Sequence, residues 1–156
     1  NDGRSLRRRG VELTVFGARS DAAAALDTEA REEAARAVYL TPESVDPWNP
    51  KAVRAGMGAH FRPPLLPFDE ASVALRQALP LRAATAANAP VAYDAVDWTQ
   101  PAALIIGGEA DGVSPQLSAW ASETVAIPLA AHVESLNAAV AGSILLFEAA
   151  RQRRLA

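Results

Sequence analysis

A glycine-rich turn is the first segment that could carry chemistry. Gly107, Gly108 and Gly112 frame a turn that also holds Glu109, and an apolar run at residues 103–106 precedes it. That run predicts a buried strand, and ligands of open parallel sheets bind at the carboxyl ends of strands. Glycine lets the backbone approach a ligand closely. A plain strand-to-helix turn is the alternative. A phosphate loop fits poorly because the Gly-Lys-Ser/Thr ending is absent.

The second segment lies before the last predicted helix. Ile127 and Pro128 end a short apolar strand, and Ser135-Leu136-Asn137 follows seven residues later. A helix N-terminus presents unpaired N–H groups that a ligand can use. Ser135 is the predicted N-cap of this helix, and capping alone would account for its presence.

The third segment, residues 53–61, places Arg54 beside Gly56 and Gly58, which indicates tight backbone packing. The two histidines, His60 and His132, have no other ligand at metal-binding spacing, so we expect no metal site. An α/β hydrolase is a further possibility by residue inventory, but the Gly-x-Ser-x-Gly elbow is missing.

Alternating strands and helices must position these segments, and they predict an α/β fold with a mostly parallel sheet and helices on both faces. The helices are expected to begin at favoured caps, as at Asn49 before Pro50 and Ser114 before Pro115. Strands are predicted at residues 11–16, 38–40, 81–86, 91–93, 103–106 and 125–127, helices at 21–37, 69–79, 115–122 and from 135, and loops at 41–50 and 63–67.

Composition narrows the class of protein. The chain has 156 residues, half of them apolar, which is enough for the core of one domain. It has no cysteine, which excludes a disulfide scaffold and a cysteine nucleophile. No stretch is apolar enough for a membrane span and no signal-peptide pattern is present, so a cytoplasmic protein is expected. Net charge is −3, although the arginines cluster near both ends, where they are either solvated or contact RNA.

Taken in order, the three segments resemble the SpoU-type RNA ribose 2′-O-methyltransferases of the SPOUT superfamily. Residues 46–58 resemble a characteristic stretch of that family. Residues 103–112 resemble its second motif, an apolar strand ending in Gly-x-Glu-x-x-Gly. Residues 127–128 and 135–148 resemble its third motif, in which Ile-Pro is followed by Ser-Leu-Asn and an alanine-rich helix.

The resemblance implies an α/β sheet with a C-terminal trefoil knot that binds S-adenosylmethionine. It places Gly107, Glu109, Gly112, Ile127 and Leu136 at the cofactor. A side chain added at Gly107 is expected to enter the space of the ligand.

Methyl transfer to a ribose 2′-hydroxyl of ribosomal or transfer RNA is the implied reaction. The resemblance places Glu109, Ser135 and Asn137 near the methyl group, with Arg54 as a further catalytic candidate. It also implies a homodimer with the RNA site across its interface, and neither a metal nor a membrane.

The sequence departs from the family at its first motif. An Asn-x-Gly followed by an arginine should precede the strand at residues 38–40, but residues 28–37 occupy that place without it. Arg31 and Arg36 are the nearby arginines, and neither has the right spacing. Either the motif is missing, or a stretch between residues 25 and 37 has been lost from the given chain. A missing motif would favour a knotted cofactor- or RNA-binding module without methyl-transfer activity.

Two domain segments are expected. Residues 37–156 form the methyltransferase domain, and residues 1–36 are either the remnant of an auxiliary RNA-binding domain or an incomplete start of the catalytic domain. The last helix is expected to pack Leu136, Val140, Ile144 and Phe147 on the sheet. Leu145 and Leu146 would then point away and supply a dimer surface.

Overall fold

Seven parallel strands form one sheet in the part of the chain that the computed structural model describes, residues 11–14, 35–41, 44, 46–61, 64–68, 79–108, 111–130 and 135–156. The strands are β1 (Val11–Thr14), β2 (Ala35–Leu40), β3 (Leu65–Pro67), β4 (Leu81–Thr85), β5 (Val91–Ala92), β6 (Ala102–Ile105) and β7 (Glu123–Ala126). Their order across the sheet is β3-β2-β1-β6-β4-β7-β5. Because neighbouring strands all run parallel, their carboxyl ends share one edge.

Three described α-helices follow the caps that the sequence offers. Helix α1 (Pro50–Ala55) begins after Asn49, whose side chain accepts the Lys51 N–H, and it ends at Gly56. Helix α2 (Pro115–Trp120) begins after Ser114, whose side chain accepts the Leu117 N–H. Helix α3 (Ala138–Leu155) closes the chain, and short 3-10 turns occur at Ala59–Phe61 and Tyr93–Ala95. None of the helices in the described ranges is long and apolar enough to cross a membrane.

The core has two layers, one on each face of the sheet. Alternate residues of a strand point to opposite faces, so Leu104 packs with Leu145 and Leu146 of α3 while Ile105 packs with Leu117 of α2. All four residues of β6 are buried, as expected for the central strand of a parallel sheet. The predicted α/β class, with helices on both faces, is confirmed.

Two predictions near β2 are corrected in part. The helix predicted at 21–37 cannot include Ala35–Ala37, because these residues belong to β2, which pairs with β1 and β3. Strand pairing overrides the helix propensity of alanine here, and residues 21–34 lie outside the described part. The loop predicted at 63–67 contains strand β3, which tolerates Pro67 because it lies at the sheet edge. The helix predicted at 69–79 lies outside the described residues, except for its last residue.

The start of helix α3 is also corrected. Its N-cap is Asn137 rather than Ser135: the Asn137 side chain accepts the N–H groups of Ala139 at 3.0 Å and Val140 at 3.3 Å. Asn and Ser are about equally good caps, and the cap lies two residues later than predicted.

The face that α3 turns to the sheet is the opposite of the predicted one. Leu145 and Leu146 are buried, with 1% and 0% of their surface exposed, whereas Val140 and Phe147 are 49% and 40% exposed. The buried stripe is completed by Ala138, Ala139, Gly142, Ala149 and Ala150. These small residues allow the helix to approach the sheet closely, and Leu145 and Leu146 are the two large apolar side chains of this stripe.

The C-terminal half of α3 is attached to the chain around Trp98. Gln152 bonds to the Trp98 N–H and the Val96 carbonyl, and the Arg153 guanidinium donates to the carbonyls of Trp98 and Gln100. Arg153 therefore has a structural role, although its sequence position within a basic cluster also suggested RNA contact.

Candidate functional site

A cavity of about 520 Å³ opens at the carboxyl edge of the sheet. The chain segments that leave β4, β6 and β7 form three of its walls, and the N-terminal turn of α3 forms the fourth. Its size lies within the usual range for small-molecule sites. The lining residues are Thr85, Ala86, Ala87, Ile106, Gly107, Gly108, Gly112, Val125, Ile127, Leu129, Ser135, Leu136, Asn137, Ala138, Ala141 and Leu145.

The glycine-rich turn after β6 is closed by its own backbone. Gly108 and Gly112 exchange two N–H···O bonds of 3.0 Å each, and Gly112 adopts a φ of +64°, a conformation that favours glycine. A Cβ at Gly107 would lie 2.1 Å from the carbonyl carbon of Gly112. Gly107 is thus required for closing the turn, and the expectation that its side chain would enter the ligand's space is wrong.

Ser135, Leu136 and Asn137 bring the start of α3 to the opposite wall of the cavity. Ser135 and Asn137 are exposed, whereas Leu136 is half-buried. The Asn137 Oδ1 atom is bonded to two backbone N–H groups of the first turn, so this side chain fixes the direction of the helix N-terminus.

The predicted site residues divide into two groups. Gly107, Gly112, Ile127 and Leu136 line the one cavity, as do the predicted catalytic residues Ser135 and Asn137. Arg54 is not among the lining residues: it is exposed in the last turn of α1.

Other predicted residues fall where the structure gives no description. Glu109 and Arg31 lie outside the described residues, as does the side chain of Arg36. Among the residues described, no arginine lines the cavity.

Sequence reasoning missed the wall that β4 contributes. Thr85 ends this strand, Ala86 and Ala87 follow it, and Ala138 and Ala141 add small side chains from α3. Alanine carries no chemical signal of its own, but the position of residues 85–87 at the carboxyl end of the strand predicted at 81–86 could have placed them at the same sheet edge.

The displaced pKa values among the described residues lie away from the cavity. A bidentate hydrogen bond from Arg151, with both N···O distances at 2.7 Å, lowers the pKa of Glu148, whose carboxylate also accepts from Gln152. Hydrogen bonds from the Thr99 hydroxyl and N–H lower the pKa of Asp97. Within the described ranges, no cluster of three His, Asp or Glu side chains could hold a metal ion.

Comparison with known proteins decides the family. The model of the SpoU rRNA Methylase family matches residues 28–147, more than three quarters of the chain. The chain belongs to this family. It is 34% identical over 171 residues to the human mitochondrial rRNA methyltransferase 3, an alignment that covers 75% of this chain and 40% of the relative.

A bacterial relative shows a similar identity and coverage. Identity is 32% over 127 residues with the 23S rRNA (uridine(2479)-2'-O)-methyltransferase of Streptomyces viridochromogenes, covering 76% of this chain and 44% of that protein. The chain thus spans about two fifths of the length of these curated relatives.

Solved structures of the family share the fold. The SpoU methyltransferase AviRb from Streptomyces viridochromogenes, in complex with AdoMet, superposes with a TM-score of 0.82 at 25% identity, over 96% of this chain and 60% of that one. An AdoMet-bound rRNA methyltransferase from Sinorhizobium meliloti gives a TM-score of 0.80 at 28% identity, over 91% and 56% of the two chains.

Proposed function

We propose that this chain transfers a methyl group from S-adenosylmethionine to a ribose 2′-hydroxyl of ribosomal or transfer RNA. The observation that carries the proposal is convergence: motif residues from two distant parts of the sequence, around Gly107 and around Leu136, line one cavity at the sheet edge. Family membership and the AdoMet-bound relatives support the same assignment.

The cavity suits the cofactor in size and in chemistry. Ile127, Leu129 and Leu136 offer apolar surface for an adenine ring, and Ala141 leaves space beside them. Gly107 and the two residues before the α3 cap, Ser135 and Leu136, add backbone groups that can select a nucleoside. We propose that these residues hold the adenosine part.

When bound, S-adenosylmethionine supplies a sulfonium methyl group, so that an O–C bond forms as the C–S bond breaks and the hydroxyl proton passes to a base. The chain's own task is to align the ribose oxygen with that methyl group and to exclude water. The walls formed by the glycine turn and the start of α3 provide this alignment. Because no arginine from the described residues lines the cavity, we propose that Glu109 or an arginine beyond those residues assists proton removal.

We propose Asn137 as a positioning residue for the reaction. Its Oδ1 atom holds the first turn of α3 against the cavity through two N–H bonds. Asn137→Asp keeps this cap, whereas Asn137→Ala removes it and should lower stability by about 1 kcal/mol. If turnover falls in the alanine variant and is retained in the aspartate variant, the cap is responsible. Equal losses in both variants would instead assign a direct role to the Asn137 amide group.

A homodimer is proposed, with α3 contributing to its interface. The outer face of α3 exposes Val140 and Phe147, seven residues apart and therefore on the same side of the helix, with Ile144 partly buried between them. This surface replaces the one predicted at Leu145 and Leu146. Phe147→Glu should shift the protein towards monomer in sedimentation; an unchanged dimer would contradict this surface.

Three further assignments are proposals of the same kind. The placement of β1 between β2 and β6 supports the interpretation of residues 1–36 as the start of the catalytic domain, which continues through residues 37–156. Family membership supports the C-terminal trefoil knot. The cytoplasm is the proposed location, although the human, mouse and zebrafish relatives are mitochondrial.

The decisive experiment uses the full-length protein and has two readouts. Ribose 2′-O-methyl positions are mapped in total RNA from cells with and without the gene, and binding of S-adenosylhomocysteine is measured in vitro. Loss of one defined methylation on deletion supports the proposal. Tight cofactor binding with an unchanged methylation map would instead support a binding module without transfer activity.

A further inference from the structure

An aromatic surface lies outside the cavity and has no part in the site described so far. Trp48 is 55% exposed, Phe61 77% and Met57 85%, and the ring centroids of Trp48 and Phe61 are 6.1 Å apart. We call Trp48 and Phe61 the aromatic platform. Large apolar side chains that are exposed side by side mark an interaction surface more often than isolated ones do.

The backbone holds the platform in a fixed arrangement. The Asp46 carboxylate accepts the Trp48 N–H at 2.9 Å, and the next residue, Asn49, caps helix α1. The buried His60 ring supports Trp48 at a centroid distance of 5.7 Å. Met57 adopts a φ of +44°, which is uncommon for a residue with a side chain and is typical of functional segments. Little conformational freedom would therefore be lost when a ligand binds.

The platform and the cavity follow two strands of the same sheet. The platform is built on the segment after β2, and the cavity lies at the end of β6; both strands run parallel in one sheet. Only β1 separates β2 from β6, so the two strand ends are about 10 Å apart. Trp48 lies beside Leu40 and Thr41 at the carboxyl end of β2, so an RNA strand with one ribose at the cavity can extend along the same sheet edge to the platform.

Charge and shape favour a nucleic acid as the occupant. Lys51 and Arg54 lie three residues apart on α1, directly after Trp48, and both are exposed. Trp48 also forms a wall of a groove of about 470 Å³ with Leu66 and Phe68. Exposed rings beside cationic side chains are the usual means of binding unpaired bases, since every base can stack on a ring.

We propose that the platform stacks an unpaired base next to the target nucleotide, with Trp48 as the main stacking ring. The substrate is then RNA that is single-stranded at this point, because a base within a duplex cannot stack on an external ring. This inference rests on the proposed function, since the neighbouring ribose is the one to be methylated.

Trp48→Ala and Trp48→Phe in the full-length protein test the proposal, with Leu155→Ala as a control that removes an exposed apolar side chain elsewhere. Binding is measured to a short mixed-sequence single-stranded RNA, to its base-paired duplex and to S-adenosylhomocysteine. Trp48→Ala should weaken single-strand binding roughly five- to hundredfold, with duplex and cofactor binding unchanged. Trp48→Phe should retain most of the affinity, and the control all of it.

Three results would overturn the platform: parental single-strand affinity in Trp48→Ala, equal losses in the phenylalanine and alanine variants, or a changed oligomeric state that identifies a protein interface. Methyl transfer by the parent is scored separately. If the parent shows ring-dependent RNA binding but methylates no RNA, the proposed function fails and the platform stands. If the parent methylates RNA and neither binding nor methylation depends on Trp48, the proposed function stands and the platform fails.

Discussion

The two halves of helix α3 are built differently although they belong to one continuous helix. The first half contributes Ala138, Ala141 and Leu145 to the cavity wall and carries no charged side chain. The second half carries Glu148, Arg151, Gln152 and Arg153, whose side chains bond to one another or to residues 96–100. The cavity half thus leaves space for a ligand, while the other half is anchored by polar contacts.

The largest expected change in stability comes from a substitution in the hydrophobic core, against which both halves of α3 pack. Leu146 is completely buried against the sheet but does not line the cavity. Leu146→Ala should lower the free energy of unfolding by about 3 kcal/mol, because it removes buried side-chain volume. Denaturant unfolding measures this loss. Under folding conditions cofactor affinity should stay close to parental; a large fall in affinity would show that the two functions of the helix are not separable.

A smaller effect is expected at the glycine turn that faces α3 across the cavity. Gly107→Ala places a Cβ 2.1 Å from the Gly112 carbonyl carbon, so the backbone must move, at a cost of about 2 kcal/mol. Gly112→Ala meets no atom within 4 Å and is penalised only by its φ of +64°, which costs about 1 kcal/mol. Thermal unfolding of both variants should show this order. The opposite order would mean that the turn is not closed as described.

The smallest expected change in stability concerns Glu148 in the C-terminal half of α3, and it depends on pH. Because the bond from Arg151 lowers the pKa of Glu148 in the folded state, ionised Glu148 stabilises the fold above the usual carboxyl pKa, and this contribution is lost as pH falls through the lowered value. Glu148→Gln should therefore cost about 1 kcal/mol at neutral pH and progressively less in acid. Urea unfolding across pH gives the comparison. A difference that persists unchanged in acid would exclude the ion pair as its cause.

The sequence was sufficient to predict the sheet and most of the cavity. The buried strand β6 and the caps at Asn49 and Ser114 follow from local sequence patterns. The family resemblance is what brought Gly107, Ile127 and Leu136 together in one predicted site, and all three line the cavity. Parallel strands bring their carboxyl ends to one edge, so residues that follow different strands meet without any long-range information.

The two main errors of the sequence-based prediction both involve alanine-rich segments. Ala35–Ala37 favour a helix in isolation, yet pairing on both sides makes them part of β2. In α3, the buried stripe is largely alanine and glycine, so its apolar signal is weaker than that of the outer stripe with Val140 and Phe147. Whether small residues pack closely depends on the shape of the sheet surface that they meet. The sequence of the helix alone does not reveal that shape.

The central claim is that the cavity between the glycine turn and the start of α3 holds S-adenosylmethionine. Ala141→Leu fills this space from a helical position without altering the backbone, and Ala119→Leu makes the same change on the exposed side of α2. Calorimetric titration with S-adenosylhomocysteine should show parental affinity for Ala119→Leu. For Ala141→Leu it should show a loss of about tenfold or more at unchanged thermal stability. Parental affinity in a folded Ala141→Leu variant would contradict the placement of the cofactor.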